Sequence, residues 1–182
     1  MVPMSTRPAA IYPNGRSIGR VTDQRLSHLD DRGAARMVDV GGKERTDRRA
    51  VATAVVTTTP DVARLLVDGG LPKGDALAVA RIAGVMAAKR TPDLIPLCHP
   101  IAISGVTVDL DVDVDLGRVR IVATVGTTDR TGVEMEALTA AAVAGLTVHD
   151  MIKGVDPASV LTDVRVERKE GGKTGLWVRD AG

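Results

Sequence analysis

Hydrophobic and polar positions alternate most clearly where Val106, Val108, Leu110, Val112 and Val114 are separated by polar side chains. A period of two predicts a half-buried strand over about 103–113. A second strand is expected at about 118–125, joined to the first by a turn at Asp115-Leu116-Gly117. Residues 49–58 are rich in Val and Thr and stop at Pro60, which reads as another strand. Two more are expected near 160–168 and 174–180, around Gly171-Gly172. Asp61 to Val67 suit a short helix closed by Gly69-Gly70 and Pro72. Residues 74–90 predict a first long helix. From Ala76 to Ala88 only Arg81 is neither apolar nor Gly, the pattern of a helix buried on several sides. Thr91-Pro92 ends it, with Lys89 and Arg90 at the negative end of its dipole. A second long helix, about 133–151, opens at Thr131-Gly132, and its many small residues permit close approach by another element. Strands precede, separate and follow the two long helices. This order predicts an α+β fold, an antiparallel or mixed sheet with helices on one face.

Composition adjusts this picture in two ways. Phe is absent and Tyr12 and Trp177 are the only large rings, so the core must be built from aliphatic side chains and Met, which bury less area each. Subunit contacts would supply further burial, so an oligomer is expected. Residues 1–26 mix Pro, Gly, Ser and Arg without a period and read as a flexible N-terminal arm, leaving 27–182 as a single α+β domain. With 24 Lys and Arg against 23 Asp and Glu, the net charge of +1 argues against coating nucleic acid or an anionic membrane. No apolar run approaches the ~20 residues that span a bilayer, and no secretory signal is seen. The single cysteine, Cys98, fits a reducing compartment, and the cytoplasm is expected.

Several side chains invite chemistry. Cys98-His99-Pro100 lies in a loop, but neighbours on an extended chain point to opposite sides, which suits Cys–His catalysis poorly. His28, His99 and His149 are the only histidines and show no ligand spacing, so no metal site is expected. His99 is compatible with a hydrogen-bonding or a functional role. Glu134 and Glu136 sit in the first turn of the second long helix, where they either offset its dipole or face a ligand. Asp150 and Lys153, three positions apart at its far end, share one face and read as a surface pair or as a tuned acid–base pair. Glu136 and Asp150 are 14 positions apart, about 21 Å along a continuous helix, so one small ligand cannot easily touch both in one copy. Either the helix breaks or two subunits contribute, for instance through antiparallel pairing across a two-fold axis. Lys73 opens the first long helix, where free amides favour anions. Lys43, Arg45, Arg48 and Arg49 suit a solvated loop or a triphosphate, and Arg81 needs a carboxylate or phosphate partner.

Taken together, Met37-Val-Asp-Val, Lys73-Gly-Asp, Ala80-Arg-Ile-Ala-Gly, Ala88-Lys-Arg, Asp93-Leu-Ile-Pro-Leu-Cys-His-Pro100, Thr131-Gly-Val-Glu-Met-Glu-Ala-Leu138, Asp150-Met-Ile-Lys153 and Gly171-Gly-Lys-Thr-Gly175 resemble one family. It is the molybdenum cofactor biosynthesis protein C family, the cyclic pyranopterin monophosphate synthases. Their order and spacing, across about 37–175, carry the resemblance. It implies a ferredoxin-like fold and a hexamer built from dimers, with active sites at subunit boundaries. It further implies that Asp150, Lys153 and Lys73 are catalytic, and that Leu97, Cys98, His99, Met135 and Glu136 contact substrate with Glu134 nearby. The implied substrate is 3′,8-cyclo-7,8-dihydro-GTP, rearranged to cyclic pyranopterin monophosphate with release of pyrophosphate. For the phosphates Lys43, Arg48 and Arg81 are candidates. No organic cofactor is implied, and Mg2+ is chemically compatible with a pyrophosphate product. His149 and Ile152 depart from the family, which often has Tyr and Cys there. A catalytically silent paralogue acting as a nucleotide-binding or assembly subunit is the alternative, as is another nucleotide-phosphate lyase.

Overall fold

In the computed structural model, which describes residues 34–173 and 175–180, five strands and four helices follow one another as β1 (Thr46–Thr57), α1 (Pro60–Asp68), α2 (Ala76–Lys89), α3 (Thr91–Leu94), β2 (Ile103–Asp113), β3 (Arg118–Asp129), α4 (Glu134–Ile152), β4 (Val160–Glu170) and β5 (Trp177–Val178). The strands form one antiparallel sheet in the order β2-β3-β1-β4-β5. Each βαβ connection skips a strand, the ferredoxin-like arrangement expected. The flexible arm assigned to residues 1–26 lies outside the described residues, and the chain from Asp39 onward forms one compact unit.

Alternation decides which face is covered. Ala50, Ala52, Ala54 and Val56 of β1 and Val119, Ile121, Ala123 and Val125 of β3 are buried against the helices, while Arg118 and Arg120 point to the open face. Helix α4 lies over β1, β3 and β4, and α2 lies over β2 and against α4. The aliphatic core works because the seam between the helices is made of small residues. At Gly84 of α2, an added Cβ would stand 2.9 Å from the Ala140 carbonyl oxygen and 3.3 Å from Ala144 Cβ on α4. The two backbones are therefore nearly in contact.

Local signals account for the helix ends. Thr59 caps α1 by accepting from the Val62 amide, Pro60 occupies its first turn, and Gly69 closes it in the left-handed conformation. Asp75 caps α2 through the Ala78 amide at 2.9 Å. Thr91-Pro92 ends α2 as expected, and because Pro suits a first turn a further short helix, α3, starts there. Three expectations need correction. Strand β3 runs on to Asp129 and β1 starts at Thr46, because backbone pairing extends into residues too polar to read as strand. Helix α2 is not covered all round, since Val79, Ile82 and Met86 are 44%, 61% and 52% exposed on one side. The C-terminal strand is confined to Trp177–Val178, where the Arg179 guanidinium sits 5.6 Å from the ring centroid of Trp177.

Candidate functional site

The sheet register sorts the candidate residues to two ends of the molecule. At one end lie the start of β1, the end of β3 and the end of β4, because Thr46 pairs with Asp129 and Arg49 with Glu170. Ile103 pairs with Thr127, which brings the loop before β2 to the same end. There the chain turns from β3 into the first residues of α4. At the opposite end Thr57 pairs with Arg118 and Val160, and α4 finishes beside the α1–α2 loop.

The far end of α4 holds a compact charge cluster. Lys73 Nζ donates to Asp150 Oδ2 at 3.0 Å and to the Asp150 carbonyl at 2.7 Å. Lys153 Nζ stands 2.6 Å from Asp150 Oδ1. Sequence supplied the Asp150–Lys153 spacing, but Lys73 arrives from 77 residues away. It is delivered by a loop anchored on buried Leu71, whose carbonyl accepts from the Gly74 amide, and turned by Gly74 at φ +86°. Hydrogen bonds from Lys153 and then Lys73, reinforced by their charges, pull the Asp150 carboxyl down to about 2. The cluster is open to solvent and carries two ammonium groups on one carboxylate. Lys73 is held by two acceptors and Lys153 by one, which leaves Lys153 with more donors to offer a ligand.

The first turn of α4 holds the second cluster. Glu136 is 1% exposed, its Oε1 accepts from Cys98 Sγ at 3.4 Å, and its Oε2 is buried without a partner among the described residues. Burial raises the carboxyl of Glu136, and its neighbour Glu134 adds to this. Burial, followed by the charge and hydrogen bond of Glu136, pushes the Cys98 thiol up to about 11. Such a thiol is a poor nucleophile, in keeping with the reading of Cys98-His99 as unsuited to Cys–His catalysis. Leu97, Cys98 and His99 are half-buried in the loop after α3, and Met135 is exposed beside Glu136. Glu134 pairs at 3.1 Å with Lys169 of β4, a residue that sequence reading missed because it lies in an ordinary run of alternating charges.

At this same end, Gly42, Lys43, Glu44, Thr46, Arg48, Gly172 and Lys173 line a cavity of about 420 Å³. Thr46 Oγ1 is buried without a partner, and Arg48 spans to the Asp129 and Arg130 carbonyls at 2.8 and 3.1 Å. Gly171 is required here: at φ +91° its Cβ would stand 2.2 Å from the Asp47 carbonyl oxygen. Lys173 joins Lys43 and Arg48 as a cation unforeseen from sequence. Arg81 is exposed, and its Nε donates to the Val108 carbonyl of β2 at 3.1 Å, which leaves its terminal nitrogens for an anion. Among the described residues no group of three or more His, Cys, Asp or Glu is arranged for a metal ion, and no helix is long and apolar enough to cross a membrane.

The two clusters stand at opposite ends of one unbroken helix of 19 residues. Neither contains both the acid–base pair and the basic cavity.

Residues 37–172 match the MoaC family. A cyclic pyranopterin monophosphate synthase of Streptomyces avermitilis is 62% identical over 165 residues, covering 91% of this chain and 96% of the relative. That of Nocardioides is 63% identical over 157 residues, 86% and 96% of the two chains. The Rhodospirillum rubrum enzyme of the same name is 57% identical over 152 residues, 84% and 92%. The match spans both clusters, and the chain belongs to the MoaC family.

Proposed function

We propose that the chain is a cyclic pyranopterin monophosphate synthase, a lyase of molybdenum cofactor biosynthesis that converts 3′,8-cyclo-7,8-dihydro-GTP to cyclic pyranopterin monophosphate and pyrophosphate. The observation that carries this reading is Asp150 held between Lys73 and Lys153. Rearranging a purine into a pyranopterin needs proton transfers at several atoms, and two ammonium groups ordered by one carboxylate can give and take protons in place. Asp150 stays ionised throughout the physiological range, so its role is to orient and to balance charge, while the lysines handle protons. Lys43 and Arg48 in the basic cavity suit the triphosphate and the leaving pyrophosphate. Mg2+ fits this reading as a companion of the phosphate oxygens rather than as an ion in a protein cage.

The working site is built from two subunits. One contributes Lys73, Asp150 and Lys153, and its partner contributes the Leu97–Cys98–His99 loop, Met135, Glu136, Glu134 and the basic cavity. The exposed apolar stripe of α2 supports assembly, and the expected state is a hexamer built from dimers, in the cytoplasm. Incubating the protein with the cyclic GTP intermediate and following pterin and pyrophosphate tests the reading. Absence of both products with a folded, assembled enzyme would refute it, and the paralogue alternative would then stand.

A further inference from the structure

Glu136 is a buried carboxyl that forms no ion pair among the described residues. Its first oxygen meets the Cys98 thiol at 3.4 Å, and its second meets no partner among the described residues. The buried faces of α2, β1 and β3 that pack on α4 are made of Ala, Gly, Val, Ile and Thr, so they bring no charge to it. The titratable groups that act on it are Cys98 from the loop and Glu134 from its own helix, and Glu134 is itself neutralised by Lys169 of β4. His99 follows Cys98 in the same loop. Ties of that loop include the Cys98 amide bonding to the Ile95 carbonyl at 3.0 Å and Thr127 Oγ1 bonding to the Ala102 carbonyl at 2.6 Å. Between these lies the thiol. A second acceptor for it, the His99 carbonyl, is farther away at 3.9 Å.

We propose that Cys98 is a positioning residue acting through Glu136: by donating its Sγ–H to the buried carboxyl, it holds the Leu97–Cys98–His99 loop against the first turn of α4 and tunes the acid strength of Glu136. The catalytic consequence rests on the synthase reading, whereas the coupling itself does not. Burial raises both groups; beyond it, the thiol's hydrogen bond favours the ionised carboxylate and the carboxylate's charge disfavours the thiolate, so each shifts the ionisation of the other. The single cysteine makes this linkage directly readable.

The test uses the intact full-length protein and iodoacetamide as a thiol probe. In Glu136→Gln, thiol alkylation at pH 8 should accelerate at least about fivefold, since each unit fall in a thiol's pKa multiplies the thiolate about tenfold at a fixed pH well below it. In Glu134→Gln, which leaves the hydrogen bond intact, the rate should change much less. In Cys98→Ala the carboxylate loses its donor, and a limb of the kcat/KM profile should move to higher pH by about half a unit or more. Circular dichroism and the oligomeric profile establish that each variant is folded. Equal alkylation of wild type and Glu136→Gln, or an unmoved profile in active Cys98→Ala, would overturn the proposal. Should wild type show no turnover at any pH, the synthase reading fails, and the alkylation rates still decide the coupling.

Discussion

If the two clusters serve one pocket, inactive chains that damage opposite clusters must rescue each other. The perturbation is a pair of variants, His99→Ala at the start of α4's neighbourhood and Lys153→Ala at its end. Glu136 and Asp150 are separated by 14 positions of unbroken helix, about 21 Å at the usual rise. That span exceeds what a single nucleotide-sized ligand bridges while also filling the basic cavity. In a two-fold assembly, a mixed pair of subunits has one site carrying both lesions and one carrying neither. Random exchange of equal amounts makes half the pairs mixed, so about a quarter of wild-type activity should return. Lys73→Ala mixed with Lys153→Ala is the decisive control. Both ammonium groups touch the same Asp150 within one protomer, so both sites of every mixed pair stay damaged and no activity should return. The assay is turnover of the cyclic GTP intermediate before and after exchange, with exchange followed by mass-tagged subunits. Confirmed exchange without recovery in the first pair, or recovery in the control, would refute the shared site.

Other consequences can be measured separately. Asp150→Asn should lower kcat by about 10²–10⁴-fold, the usual range when acid–base groups, here the two lysines it orients, are disrupted, while leaving the melting temperature nearly unchanged because the cluster is exposed. The Asp150 carboxyl is depressed in the folded protein, so whatever its ion pairs contribute is present above the ordinary carboxylate value and is lost as pH falls through about 2. Activity between pH 6 and 9 should therefore show no limb from this group. Gly84→Ala places a methyl against the Ala140 carbonyl; an overpacking cost of about 1–3 kcal/mol outweighs about 1 kcal/mol of helix propensity, and calorimetry should show a lower melting temperature. Gly145→Ala should be much milder, since its nearest obstacle is the tip of the Leu161 side chain. On the synthase reading, Arg48→Ala should raise KM more than it lowers kcat, because it removes a cation proposed for the phosphates together with ties to the Asp129 and Arg130 carbonyls.

Most elements were legible because their patterns are strong. The alternation at Val106–Val114 became β2, and the apolar run after Asp75 became α2. What stayed hidden were decisions made by distant partners. Strand pairing recruits Thr46 to Arg49 and Gly126 to Asp129, whose polarity reads as loop until their backbones find each other. The outward side of α2 carries Val79, Ile82 and Met86, so its composition reported burial that one protomer does not provide. At the site, spacing alone linked Asp150 to Lys153, whereas Lys73 reached them through a loop whose direction depends on Gly74. The resemblance grouped all three, and the coordinates added Lys169 and Lys173. The Cys98–Glu136 contact had no sequence signature, because 38 residues and a sheet edge intervene.

The near absence of rings has a practical consequence for watching this protein unfold. Trp177, the single tryptophan, sits 38% exposed on the last short strand beside Arg179 rather than between the sheet and α4. Its emission will report the detachment of that edge, which carries few buried contacts and can open before the rest. The helix–sheet interior will melt without an optical signature of its own. Intrinsic fluorescence would therefore make a stable core look labile, and backbone circular dichroism or calorimetry is the signal that follows it.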